Sequence, residues 1–276
     1  MDRKGKIKET LENLLKEIKM SETYSEKILA AWDRWEKGVD LSEDIDVSAY
    51  ARAEIEKEDI LNNNEMMIML FLVMILEERA YGAWKRFPEE VYLDTISDFT
   101  SFVKFYKEAT GEEGYGKSNW PIHYANARVF RLGELEYELE ETEGKREVAM
   151  HIPEGAHLTP DAVADSLKKE KAFMREYFPE WADLPHTCES WMLSPVLKEM
   201  LPETSRILWF QSLFDIQKFD PEVRLYLQFL FRLEYFQWYD GIDLHTLKED
   251  TSLQRNMKKY VLSGGKPGAA YGVLKV

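Results

Sequence analysis

The sequence predicts an α+β fold: a helical N-terminal domain, then a mixed β-sheet domain with crossover helices. Three observations predict it. Up to about Gly114 the apolar residues recur at helical spacing, and beyond Trp120–Pro121 they alternate as strands do. The stretch from Arg146 to Gln217 reads strand, long helix, strand, short helix, strand, with turn chemistry at each junction. The implied domains are residues 1–118 and 119–276.

Ile7, Leu11, Leu14, Leu15 and Ile18 form the apolar stripe of a first helix between lysines and glutamates. Ser21 or Ser25 caps a second, which runs through Ile28, Leu29, Trp32 and Trp35 and ends at Gly38. Ser42 with Ile45 starts a third, through Tyr50 and Ile55. The fourth, about Ile60–Phe87, holds the longest apolar run, Met66–Leu76, which is too short to span a bilayer. Its methionines Met66, Met67, Met69 and Met74 read as core filling, with a pliable pocket as the alternative. Pro88 breaks the chain, and Val91–Ala109 makes a fifth helix rich in Phe99, Phe102, Phe105 and Tyr106. Gly111–Asn119, with three glycines and no periodic apolar residue, reads as a linker.

Phe130 and Leu132 carry the opposite parity to Leu135 and Tyr137, so Gly133 marks a bulge or tight bend. Leu135, Tyr137 and Leu139 alternate with Glu134, Glu136, Glu138 and Glu140, which predicts one buried face and one solvated acidic face. Glu143–Gly144 turns the chain, and Val148, Met150 and Ile152 alternate in a strand over Glu147–Pro153. Thr159–Pro160–Asp161 supplies a cap, a first-turn proline and an acid for a helix whose apolar face is Val163, Leu167, Met174 and Phe178; Pro179 stops it. His186–Leu193 reads as the next strand, Ser194–Pro195 as the start of a short helix, and Ser205–Ile216 as a strand covered on both faces. That order implies parallel strands with right-handed crossovers. Asp220–Pro221–Glu222 starts a short helix that gives way to a strand through Leu225–Tyr235. Thr251 and Gln254 fit a capping box for a helix to about Leu262, ended by Gly264–Gly268, and Ala270–Val276 closes the chain as a strand.

A net charge of −15 works against nucleic acid or an anionic membrane as partner. The single cysteine, Cys188, allows neither an internal disulfide nor a zinc cluster, and no metal is expected. It reads as a buried structural thiol; a nucleophile reading stays open through His186, two residues away. Met1–Lys8 is charged and lacks the apolar core of a signal peptide, so the expected location is cytoplasmic.

Several runs carry a resemblance: His151–Ile152–Pro153, Cys188–Glu189–Ser190–Trp191–Met192–Leu193–Ser194–Pro195, Phe210–Gln211–Ser212–Leu213–Phe214, Thr251–Ser252–Leu253–Gln254–Arg255 and Tyr271–Gly272–Val273–Leu274. With them, residues 128–276 resemble the GNAT superfamily of acyl-CoA N-acyltransferases. More closely, the chain resembles a bacterial family in which a helical N-terminal domain precedes a GNAT-like C-terminal domain. The resemblance implies acyl-CoA or acetyl-CoA as co-substrate and a small-molecule amine as acceptor. It also implies that Glu147–Pro153 and His186–Leu193 splay apart to hold pantetheine, with the pyrophosphate on amides at the start of the long helix.

On that reading Ile152, Gly155, His157 and Thr159 contact the cofactor, and Lys266, in the glycine run Gly264–Gly268, offers a second seat for its phosphates. The Pro153–Thr159 connection has one glycine, and Glu154 and Asp161 beside it repel phosphate. Glu189 is a candidate base where it points into the splay; otherwise it is a surface carboxylate. His151 is a base or a hydrogen-bonded interior histidine, and Tyr271 is a candidate acid or a core residue. The alternative to catalysis is a GNAT-like binding module that has lost the pyrophosphate loop.

Overall fold

The computed structural model describes residues 2–42, 45–57, 60, 63–116, 120–233 and 241–275. The chain divides into two compact units, Met1–Phe130 and Arg131–Val276.

The first unit is helical: α1 (Arg3–Glu17), α2 (Glu22–Trp35), α3 (Val47–Ile55), α4 (Asn64–Ala80), α5 (Glu89–Ile96), α6 (Asp98–Thr110) and α7 (Pro121–Ala125). Every residue of α4 from Met66 to Leu76 is buried, which is why no stripe shows in its sequence: a helix apolar all round belongs inside. Its methionines fill core. Ser21 caps α2, and Asp46 rather than Ser42 caps α3, accepting from the Ala49 amide at 2.9 Å. The fifth helix expected over Val91–Ala109 is two helices that meet at Ser97. There the Ser97 hydroxyl donates to the Asp94 carbonyl at 2.6 Å, ending α5 as α6 begins. Gly111, at φ 86°, closes α6 in the left-handed conformation that glycine takes without steric cost. Residues 61–62 of the expected fourth helix and 117–119 of the expected linker lie outside the described residues.

The second unit is built on a six-stranded mixed sheet of order β1-β2-β3-β4-β6-β5. Strand β1 (Val129–Leu132) turns at Gly133, φ 80°, into β2 (Leu135–Thr142), so the expected bend is a tight turn. Glu143 and Gly144, both at positive φ, turn β2 into β3 (Lys145–His151). Thr159 then caps α8 (Pro160–Tyr177), which buries Val163 and Met174. Ser166 of α8 ties helix to sheet: its hydroxyl donates to the Leu132 carbonyl at 2.5 Å and accepts from the Leu135 amide at 3.2 Å. It also lies 3.0 Å from the Tyr137 hydroxyl, which puts α8 on the face that carries Tyr137, Val148, Met150 and His186. On that face His186 Nε2 lies 2.9 Å from Glu170 Oε1, close enough to pair but not aligned for a hydrogen bond. Strand β4 (His186–Ser190) runs parallel to β3, while β6 (Ala269–Leu274) is antiparallel to both β4 and β5 (Phe214–Asp220).

Four expectations are corrected here. Most of Ser205–Ile216 is a helix, α9 (Arg206–Ser212), because the Ser205 hydroxyl accepts from the Ile207 amide and starts a turn; the strand begins only at Phe214 and is antiparallel. Trp191–Leu193 is a 3-10 turn capped by Ser190, so β4 is shorter than expected. Leu225–Phe229 is a helix, α10, that buries Tyr226 and Leu227; neighbouring residues cannot share one face of a strand. Residues 234–235, the end of that expected strand, lie outside the described residues, as do residues 236–240 and Val276. Finally, the acidic face of β2 is not solvated: Glu136 and Glu138 are 2% and 6% exposed. Alternation says which residues share a face, not what covers it.

Past β5 the capping box forms as expected, with Thr251 and Gln254 each closing on the other's backbone, and α11 (Ser252–Leu262) follows.

Candidate active site

Strands β3 and β4 pair at only two positions, Val148↔His186 and Ala149↔Thr187. Beyond them each keeps its outer neighbour: β3 stays with β2 as far as His151, and β4 stays with β6 as far as Ser190. Two strands held on their outer edges but not to each other open a V. Among the described residues no neighbouring strand takes up the backbone N–H and C=O groups of its inner edges.

Two residues past the last pair, β3 reaches His151 and β4 reaches Glu189, and Glu189 is in register with Tyr271 of β6. Parity with Ala149 and Thr187 puts all three on the sheet face opposite α8. The three sequence-predicted reactive residues thus fall on one row at the mouth of the V. Glu189 is exposed. His151 Nε2 lies 3.0 Å from Glu138 Oε2, with the imidazole side chain 31% exposed and the acid 7%.

Tyr271 leans toward β3. Its hydroxyl donates to Glu147 Oε2 at 2.9 Å and accepts from Lys145 Nζ at 3.3 Å. Thr187 Oγ1 donates to the other Glu147 oxygen at 3.1 Å, and Lys145 Nζ stands 2.7 Å from Glu147 Oε2. Partial burial pushes the Glu147 carboxyl up, but the hydrogen bonds from Lys145, Tyr271 and Thr187 outweigh it and hold the group below its ordinary range. Burial, then the bond to Glu147, raises the Tyr271 hydroxyl, so it stays protonated and able to donate. Sequence reasoning missed Glu138 and Glu147; the only signal for Glu147 was that it shares the parity of His151 on one strand.

Residues 129–274, more than half of the chain, match the GNAT-like C-terminal domain family, and residues 9–126 match the N-acyltransferase N-terminal domain. The chain belongs to the GNAT-like C-terminal domain family. Its fold is that of an acyltransferase solved with decanoyl-CoA and teicoplanin, at a TM-score of 0.77 and 21% identity over 95% of this chain and 86% of that one. An acyltransferase mutant solved with octanoyl-CoA gives a TM-score of 0.78 at 22% identity over 97% of this chain and 88% of that one. A further acyltransferase complex, with decanoyl-CoA, gives 0.74 at 23% identity over 96% of this chain and 86% of that one. No curated protein matches.

In this GNAT-like unit, four of the five sequence-predicted cofactor residues share the connection from β3 to α8. Ile152 follows the end of β3, Gly155 turns the chain at φ 78°, and Thr159 accepts from the Ala162 amide to cap the helix. The His157 ring is exposed, and its backbone N–H donates to Glu134 Oε2 at 2.7 Å. Glu154 is paired with Arg232 Nη2 at 2.5 Å, which offsets its negative charge beside the loop. Lys266 stands apart in the loop before β6, exposed and paired with Glu222. That loop is held by the Ser194 hydroxyl, which donates to the Pro267 carbonyl, and it borders a cavity of about 370 Å³ lined in part by Arg224, Tyr226 and Leu227.

Burial, reinforced by the neighbouring Glu189 charge, pushes the Cys188 thiol up to about 12. It stays protonated at ordinary pH, as a structural cysteine does. Among the described residues no group of His, Cys, Asp and Glu is placed to hold a metal ion, and no helix is long and apolar enough to cross a membrane.

Proposed function

We propose that this chain is an acyl-CoA-dependent N-acyltransferase acting on a small-molecule amine. The observation that carries the reading is the V between β3 and β4. A pantetheine arm is itself a chain of amides, and laid between the two edges it supplies their missing partners like an added strand. Family membership supports this, as do the acyl-CoA complexes of the structural neighbours; teicoplanin in one of them suits a small-molecule acceptor.

In the reaction the amine nitrogen attacks the thioester carbonyl, the C–N bond forms, the C–S bond breaks and the thiolate leaves. His151 takes the amine proton, with Glu189 in the same row as the other candidate base. Tyr271, kept protonated beside Glu147, returns a proton to the thiolate. Ile152, Gly155, His157 and Thr159 line the pantetheine and pyrophosphate path, and Lys266 reaches a phosphate from the glycine loop.

A second reading, a non-catalytic GNAT-like module that binds another ligand or a protein and has lost the pyrophosphate loop, is favoured by one observation: the Glu134 carboxylate already takes the His157 amide at the loop. Thiol release from acetyl-, octanoyl- and decanoyl-CoA, followed colorimetrically against a panel of amines, separates the two. Amine-dependent release supports the transferase; no release with any amine, together with no acyl-CoA bound in calorimetry, supports the binding module.

A further inference from the structure

We infer that Glu138 is a positioning residue for His151, one that accepts the Nε2 proton and so fixes Nδ1 as the nitrogen that receives the proton of the amine. The inference rests on the acyltransferase reading and deepens it.

The geometry follows from the β2–β3 hairpin. Glu136 is directly opposite His151 and Glu138 is opposite Ala149, so Glu138 reaches His151 along the diagonal, a separation that long side chains bridge. The contact is 3.0 Å. With Glu138 ionised, the carboxylate offers only acceptors, and the nitrogen at this distance is then the donor. With Nε2 carrying the proton, a neutral imidazole keeps its lone pair on Nδ1.

Burial gives the pair a direction. The acid side chain is 7% exposed and the imidazole 31%, so the carboxylate lies inside and the ring faces outward on the row with Glu189 and Tyr271. Enclosing a carboxylate costs free energy that an apolar residue of the same size avoids. Here the enclosed group sits behind a partly open imidazole on the face that flanks the V. A base oriented by a third group is the general arrangement for proton transfer in the transition state.

The test has two arms. In the wild-type protein, long-range proton–nitrogen NMR above neutral pH reads the His151 tautomer directly, and the expected result is Nε2–H. In Glu138→Gln, which keeps size and an acceptor oxygen but removes the charge, the signal is expected to spread over both tautomers. Its kcat for amine-dependent thiol release is expected to fall on the order of 100-fold, the lower end of what a positioned base contributes. The KM for acyl-CoA stays unchanged, and Glu138→Asp recovers part of kcat. An Nδ1–H tautomer in a wild-type protein that turns over overturns the inference alone, whether or not the variants fold. So does an unchanged kcat in Glu138→Gln. A wild-type protein that releases no thiol with any amine overturns the acyltransferase reading and the catalytic role of Glu138 together.

Discussion

Each face of the sheet in the second unit carries a histidine–glutamate pair, and the two pairs sit differently. Under α8, His186 lies 2.9 Å from Glu170, with side chains 16% and 3% exposed, its ring edge-on to Tyr137. On the opposite face, His151 lies 3.0 Å from Glu138, with nearly a third of its side chain open. On the proposed function the same two residue types do two jobs. The first pair is closed beneath a helix among Val148, Met150 and Tyr137, where only folding can feel it. The second stands at the mouth of the V, where a ligand can feel it. Enclosure, more than residue type, is what distinguishes the two pairs.

Breaking the enclosed pair is expected to have the largest effect on folding. Glu170→Ala removes the acid beside the His186 ring under α8 and should cost about 2–3 kcal/mol, read from urea unfolding. A loss below about 1 kcal/mol would erase the contrast between the faces. Ser166→Ala removes the hydroxyl that joins Leu132, Leu135 and Tyr137 to α8 and should cost about 1–3 kcal/mol in the same assay.

The polar face should answer to pH instead. Glu147 has a depressed folded-state pKa, so its contribution is present above the ordinary value of 4.5 and is lost as pH falls through the folded value. Glu147→Gln should therefore lose less stability on acidification below pH 4.5 than the wild type does, as urea midpoints across that range would show. An equal acid-side loss in both proteins would place the ionised group elsewhere.

The smallest stability effects belong to the two seats proposed for phosphate. Thr159→Ala removes a helix cap worth about 1 kcal/mol. Lys266→Glu, in an exposed ion pair with Glu222, should change stability by less than about 0.5 kcal/mol. Whichever of the two weakens acyl-CoA binding in calorimetry beyond its effect on stability identifies the seat.

Much of this architecture was legible in the sequence because periodicity reports local geometry. The α8 cap at Thr159, the turns at Gly133 and Glu143–Gly144, and the α11 capping box all formed where turn chemistry put them. Arg206–Ser212 folds as a helix and not as the expected strand because a short apolar run fits a buried strand and a helix equally; the Ser205 cap is the cue that separates them. Glu136 and Glu138 were misread because alternation cannot tell what covers a face. The row of His151, Glu189 and Tyr271 was legible only as separate candidates, because strand register joins residues more than a hundred positions apart in the chain. Glu147 shows the same limit, since its hydroxyl partner Tyr271 comes from the last strand.

The central claim is that pantetheine fills the V as an added strand. Amide hydrogen exchange, followed by mass spectrometry with and without octanoyl-CoA, tests it most directly. The account predicts slowed exchange in peptides covering residues 150–159 and 188–193, the two inner edges and the connection to α8. Binding of octanoyl-CoA with protection confined to other segments, and none along these edges, would contradict it.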